Sequence, residues 1–292
     1  MQSNIFLIDI IERRVETMTA KVRNMIKAEK APRKMTKKQV YAKYGIVYKD
    51  EKILSPIGFI RELLKAGNDK TGKLVLTFSV LPGTGYYTVD VNGKDFTVKG
   101  TCVCDCIGCY AKTGHYNHAG TIRSMVINTF LVNYHIDFVK RCIMAQLDYM
   151  ESGEIRIHAA GDFNTINSDE YAAMWHDVAE KYDTFIFWTY TKIKKYETLF
   201  DDLKNANIVK SIIPGIGFNY GHCDHIINAY YTLRNMGKRV YICRCGIDKD
   251  QHCQGCHVCG TYEYVLFIEH STDYKAEADP LYEKLCMIIN NQ

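Results

Sequence analysis

Short apolar runs and longer stretches of helical spacing alternate along most of this chain. Strands are expected over residues 74–80, 154–160, 184–190, 208–213, 239–243 and 264–269, each a compact apolar run bounded by turn residues. Between them, helical spacing predicts helices over 169–182, 194–204 and 225–236. The first of these has Ser168 as N-cap and Tyr171, Met174, Trp175, Val178 and Tyr182 on one face. An earlier helix is expected over 55–67, with Ser55 as N-cap, Pro56 at its first position, Ile57, Ile60, Leu63 and Leu64 on one face and Gly67 at its end. Residues 86–98 read as a hairpin turning at Asn92-Gly93.

Parallel strands joined by helices demand an α/β sheet. Six strands fall short of the eight that close a complete barrel. The expected fold is therefore an α/β partial (β/α)6 barrel over residues 71–292, preceded by a helical, basic region over 1–70. No repeat of solenoid type and no low-complexity tract interrupts it.

The 292 residues are 47% hydrophobic and 24% charged, which excludes a disordered or collagen-like chain. No apolar run approaches the roughly 20 residues of a bilayer helix, so an unexported, cytoplasmic protein with no membrane partner is expected. Residues 1–50 hold 12 Lys/Arg against 5 Asp/Glu. Lys27, Lys30, Arg33, Lys34, Lys37 and Lys38, followed by Tyr41, Tyr44 and Tyr48, can grip a phosphate backbone and stack on bases, or can form a solvated face and connector.

Twelve cysteines change the picture more than the charge does. Nine fall in two tight runs, which in a reduced compartment points to metal rather than disulfides. Cys142, Cys223 and Cys286 stand apart and read as small buried apolar side chains. In the first run, Cys102, Cys106 and Cys109 have the spacing CxxxCxxC. Three thiolates from one loop can hold a [4Fe-4S] cluster and leave its fourth iron open, whereas Cys104 as a fourth thiolate would make a structural zinc site. The second run, within 243–259, offers Cys243, Cys245, Cys253, Cys256 and Cys259 for a second [4Fe-4S] cluster or for Zn2+.

Parallel α/β folds gather functional residues at the carboxyl ends of their strands. Both cysteine runs fall there, as do His158, Gly161 and Asp162 at the close of the second strand and Lys192 at the close of the third. Asp162 can accept from a ligand ammonium or cap the following turn. His158 suits a catalytic or a structural role, and Lys192 can pair with a carboxylate or phosphate. Trp188 and Tyr190 share a strand face, as core or as a substrate platform.

The cysteine loop after the first strand resembles that of the radical S-adenosylmethionine (radical SAM) superfamily, with Gly108 where an aromatic residue is usual and Tyr110 just after the third cysteine. The resemblance implies that the open iron chelates the methionine part of SAM and that one electron from the cluster, from a donor the sequence does not name, yields a 5′-deoxyadenosyl radical. Tyr110, Gly161 and Asp162 would contact SAM, and His158, Asp162 and Lys192 would form the catalytic set. Over residues 75–260, SVLPGTGYY, GCYA (108–111), HxxGDF (158–163), YTK (190–192), CxC and CxxCxxC resemble the bacteriophage gene product 88 family and its radical-SAM-like relatives. The expected function is an iron–sulfur enzyme of radical SAM type acting on a nucleotide, nucleic acid or peptide. The competing expectation is a non-catalytic, zinc- or iron–sulfur-stabilised nucleic-acid-binding protein.

Overall fold

The computed structural model describes residues 35–67, 75–105, 109, 111, 114–244, 256–268 and 276–292. Cys106, Tyr110, Cys245 and Cys253, and the basic residues before position 35, lie outside the described residues.

After helix α1 (Lys37–Lys43), a three-stranded antiparallel meander runs through β1 (Tyr48–Lys49), β2 (Lys52–Ser55) and β3 (Gly58–Arg61). The helix expected over 55–67 is thus a strand pair. Burial there follows period two rather than the helical period: Ile53 and Ile60 face each other in the core while Leu54 and Phe59 are exposed. Ser55 caps a turn, not a helix. Its Oγ donates to the Gly58 carbonyl at 2.7 Å and accepts from the Ile57 amide at 3.2 Å. Gly58 sits at φ +105°, where a Cβ would meet the Asn92 amide at 2.5 Å.

Strand β4 (Lys65–Ala66) enters the main sheet antiparallel to β5 (Val75–Thr77). A hairpin of β6 (Tyr86–Asp90) and β7 (Asp95–Lys99) follows, turning at Asn92 and Gly93, both at positive φ, as expected. Next come α2 (Ala119–Tyr134), α3 (Ile136–Met150), β8 (Gly153–Arg156), α4 (Ser168–Lys181), β9 (Phe185–Thr191) and β10 (Ala206–Lys210). Strands β5, β8, β9 and β10 are parallel neighbours in that order. Beyond them lie β11 (Ile212–Ile213), β12 (Gly217–Phe218), β13 (Tyr220–Gly221), α5 (Cys223–Asn235), β14 (Val240–Ile242), β15 (Tyr264–Ile268) and α6 (Tyr282–Asn290). The parallel strands β13, β15 and β14 form a separate sheet in that order, and the Lys210 amide donates to the Glu263 carbonyl at 3.0 Å between the two sheets. The described strands close no barrel.

Two further differences from the sequence reading have physical causes. Residues 194–204 form a 3-10 turn, Lys194–Tyr196, and successive i−3 turns instead of a helix. Tyr196 is pinned there by its hydroxyl to Asp169 at 2.7 Å and by its ring to Phe163 at 5.2 Å. Helices α2 and α3 were not foreseen; α2 buries the consecutive residues 125–129, so no polar face marks its period.

One face of the main sheet carries Phe78, Ile155, Phe187 and Ile208 into a core with Trp175 of α4, Ile143 of α3 and Tyr41, Ile53 and Ile60 from the amino-terminal segment. Cys142 is buried in this core, as expected of a small apolar side chain, and Cys223 is buried in a second core between α5, α6, β14 and β15. Tyr41 and Tyr44 donate to Glu62 and Asp148, Tyr48 stacks on Tyr41 at 4.9 Å, and Lys37 pairs with Glu62 at 2.6 Å. The tyrosines read as a stacking surface therefore bind α1 to the body of the protein. No described helix is long and apolar enough to cross a membrane.

Candidate functional site

The first cysteine loop is built on the chain that leaves β5. Val80 continues the sheet by donating to the Ala160 carbonyl at 3.1 Å. Helix α2 satisfies the next backbone groups: Asn128 donates to the Ser79 carbonyl at 2.9 Å, and the Thr129 hydroxyl accepts from the Leu81 amide at 2.8 Å. The β6–β7 hairpin then makes its excursion and returns antiparallel to its own start. Thr101 donates to the Leu81 carbonyl at 2.8 Å and Cys102 to the Gly83 carbonyl at 3.0 Å, so Cys102 lies at the base of the hairpin. Its thiol is within electrostatic reach of Cys109, Asp162 and Lys192, and burial pushes it up to about 12. Cys109 packs against the small core that includes Leu81, Val126 and Ala160.

The segment after β8 passes close beneath this loop. Gly161, at φ +86°, is required: a Cβ would lie 2.5 Å from Val80 Cγ2 and 2.6 Å from Thr101 Oγ1. The Asp162 amide donates to Thr101 Oγ1 at 3.0 Å, joining the two loops. The Asp162 side chain, 4% exposed, joins a third. Its Oδ1 accepts from the Phe163 amide and the Thr191 hydroxyl, both at 2.8 Å, and its Oδ2 accepts from the Lys192 amide at 3.0 Å. Burial pushes the carboxyl above the usual carboxylate range, while these donors and the Lys192 ammonium oppose that shift. Asp162 is thus the anchor of the loop that presents Lys192, whose Nζ lies 5.8 Å from the Phe218 ring centre.

His158 sets its imidazole among core side chains. It is 2% exposed and held at φ +57°, with its ring edge-on to Phe163 at 4.5 Å, Nε2 2.8 Å from the Tyr171 hydroxyl and Nδ1 3.4 Å from the Thr189 hydroxyl. Burial lowers it to about 3, so it is a neutral core histidine at ordinary pH.

Cys259, at the described end of the second cysteine run, docks on the sheet face away from α3 and α4. Register puts Glu154, Arg156, Trp188, Tyr190 and Asn207 on that face. Arg156 stacks over the Trp188 and Tyr190 rings at 5.3 and 5.5 Å. Asn207 donates to the Cys259 and Tyr262 carbonyls at 2.7 and 2.9 Å, and the Tyr190 hydroxyl lies 2.8 Å from Cys259 Sγ. His257 Nδ1 lies 2.5 Å from Glu154 Oε1, close enough for an ion pair but not aligned for a hydrogen bond. Cys259 and Cys243 both act on Tyr190, and Cys243 and Cys256 both act on Tyr241. Among the described residues, no group of three or more His, Cys, Asp or Glu surrounds a common metal position.

Sequence reasoning singled out Asp162 and Lys192 but not Thr101 and Thr191, the hydroxyls that bind their loops together. Only Thr191, between Tyr190 and Lys192 in the YTK motif, carried a signal. Fold and site together define a cysteine-rich α/β protein with thiols at the carboxyl end of its parallel sheet. The family model for gene product 88 matches residues 62–215, 154 of the 292 residues. The chain belongs to this bacteriophage family. The matched span includes Cys102, Cys109, Asp162 and Lys192 and ends before the second cysteine run. No curated protein and no solved structure matches the chain.

Proposed function

We propose that this protein is an iron–sulfur enzyme of radical SAM type, in which Cys102, Cys106 and Cys109 hold a [4Fe-4S] cluster at the mouth of a partial (β/α)6 barrel. The observation that carries the reading is that the loops after β5, β8 and β9, which bear Cys102, Asp162 and Lys192, are bonded to one another through Thr101, Asp162 and Thr191. Soft, half-buried thiol donors suit iron–sulfur ligation, and the Lys192 cation within electrostatic reach of Cys102 offsets thiolate charge. When bound, the cluster supplies the electron that cleaves SAM.

The chain's own residues do the placing. Lys192 holds an ammonium within electrostatic reach of Cys102, where it attracts the carboxylate of a bound amino-acid group. Asp162 fixes Lys192 through its backbone amide, and Gly161 lets the loop after β8 approach Thr101 and Val80. The sheet face bearing Arg156, Trp188 and Tyr190 seats Cys259 of the second cysteine run, with Trp188 buried, and the substrate is a nucleotide, nucleic acid or peptide. The second cysteine run adds a second cluster or Zn2+ on that face.

Iron-loaded protein reduced with dithionite is expected to convert SAM to 5′-deoxyadenosine. Lys192→Ala should weaken SAM binding roughly tenfold, about the worth of one charge-assisted hydrogen bond. Iron-loaded wild-type protein that binds no SAM at millimolar concentration would overturn the radical mechanism.

A further inference from the structure

The contact between Tyr190 and Cys259 has a consequence for any metal held by the second cysteine run. We propose that Tyr190 is a positioning residue of that centre, donating its hydroxyl hydrogen to the Cys259 sulfur across 2.8 Å and so orienting and tuning the thiolate ligand. The inference rests on the reading that Cys259 ligates a metal.

A metal-bound thiolate has no proton to give, so the phenol must be the donor in this pair. The geometry that holds it there comes from strands of both sheets. Tyr190, next to last in β9, has Arg156 of β8 stacked over its ring at 5.5 Å, Trp188 edge-on at 5.6 Å, and Phe267 of β15 on another side at 5.6 Å. Cys259 is fixed in turn by Asn207 of β10, which donates to the Cys259 carbonyl at 2.7 Å. Both partners are therefore clamped before any metal arrives. Cys243 also lies within electrostatic reach of Tyr190. Donors to a ligating sulfur withdraw charge from it, and loss of such outer contacts typically costs 10–100-fold in metal affinity.

The test titrates Co(II) into the metal-free, full-length chain under anaerobic conditions and follows the thiolate-to-cobalt charge-transfer band. Cys259→Ala is expected to remove part of that band. Tyr190→Phe keeps the ring and its packing, and should weaken the corresponding Co(II) affinity by roughly tenfold or more. It should also move the band to lower energy, a change that a purely structural tyrosine would not cause. In the Cys259→Ala background, Tyr190→Phe should have no further effect. If Cys259→Ala leaves the band intact, Cys259 is not a ligand, and the metal reading and the inference fall together. If Cys259→Ala removes it while Tyr190→Phe changes neither affinity nor band energy, the inference alone is overturned.

Discussion

Asp162→Ala is expected to destabilise the protein by about 3–5 kcal/mol, the range for removing one partner from a buried charged network. The carboxylate accepts from the Phe163 amide, the Thr191 hydroxyl and the Lys192 amide, and alanine leaves all three donors without that acceptor. Each buried, unsatisfied group costs about 1–3 kcal/mol. Asp162→Asn should fall between wild type and alanine. Its oxygen still accepts from Phe163 and Thr191, while its amide confronts the Lys192 N–H with a second donor. Urea denaturation of the three proteins gives the order directly. An alanine variant within about 1 kcal/mol of wild type would show that the carboxylate does not anchor these loops.

Acid is expected to weaken the fold through His158. Burial holds its imidazole at about 3, below the roughly 6.5 of an unfolded chain. Above pH 6.5 both states are neutral and the residue contributes no pH dependence. As pH falls from 6.5 towards 3, the unfolded chain takes up a proton that the folded one refuses, so stability drops by up to about 1.4 kcal/mol per pH unit. His158→Asn removes this term, and asparagine tolerates the left-handed conformation that position 158 adopts. The stability advantage of wild type over His158→Asn should therefore shrink by about 2 kcal/mol between pH 7 and pH 5. An advantage that stays constant over that interval would show that the imidazole titrates alike in both states.

The parallel strands were legible because β9 and its neighbours are short apolar runs with turn residues between them, and the β6–β7 hairpin because Asn92-Gly93 admits the required positive φ. The segment at Ser55 misled because Ser, Pro and a spaced set of apolar residues also fit a helix start. What separates the two readings is tertiary: Ile60 pairs with Ile53, and Gly58 packs against Asn92. Helix α2 was hidden by its burial on several sides, Asn128 and Thr129 included, since polar residues that serve a strand's backbone do not show a periodic stripe.

At the site, residue types pointed to the strand ends but not to the direction of each side chain. His158 and Asp162 belong to one HxxGDF motif, yet the left-handed turn at His158 sends its imidazole into the aromatic core while Asp162 turns towards Thr191 and Lys192. The docking of Cys259 on Tyr190 joins residues 69 positions apart. No local pattern carries such a contact.

The most direct test of the central claim is the iron and acid-labile sulfide content of anaerobically reconstituted protein beside that of its Cys102→Ala, Cys106→Ala, Cys109→Ala triple variant. The account predicts brown wild-type protein and a triple variant that lacks one cubane's worth of both elements. Colourless wild-type protein carrying stoichiometric zinc, or a triple variant with undiminished iron and sulfide, would contradict it.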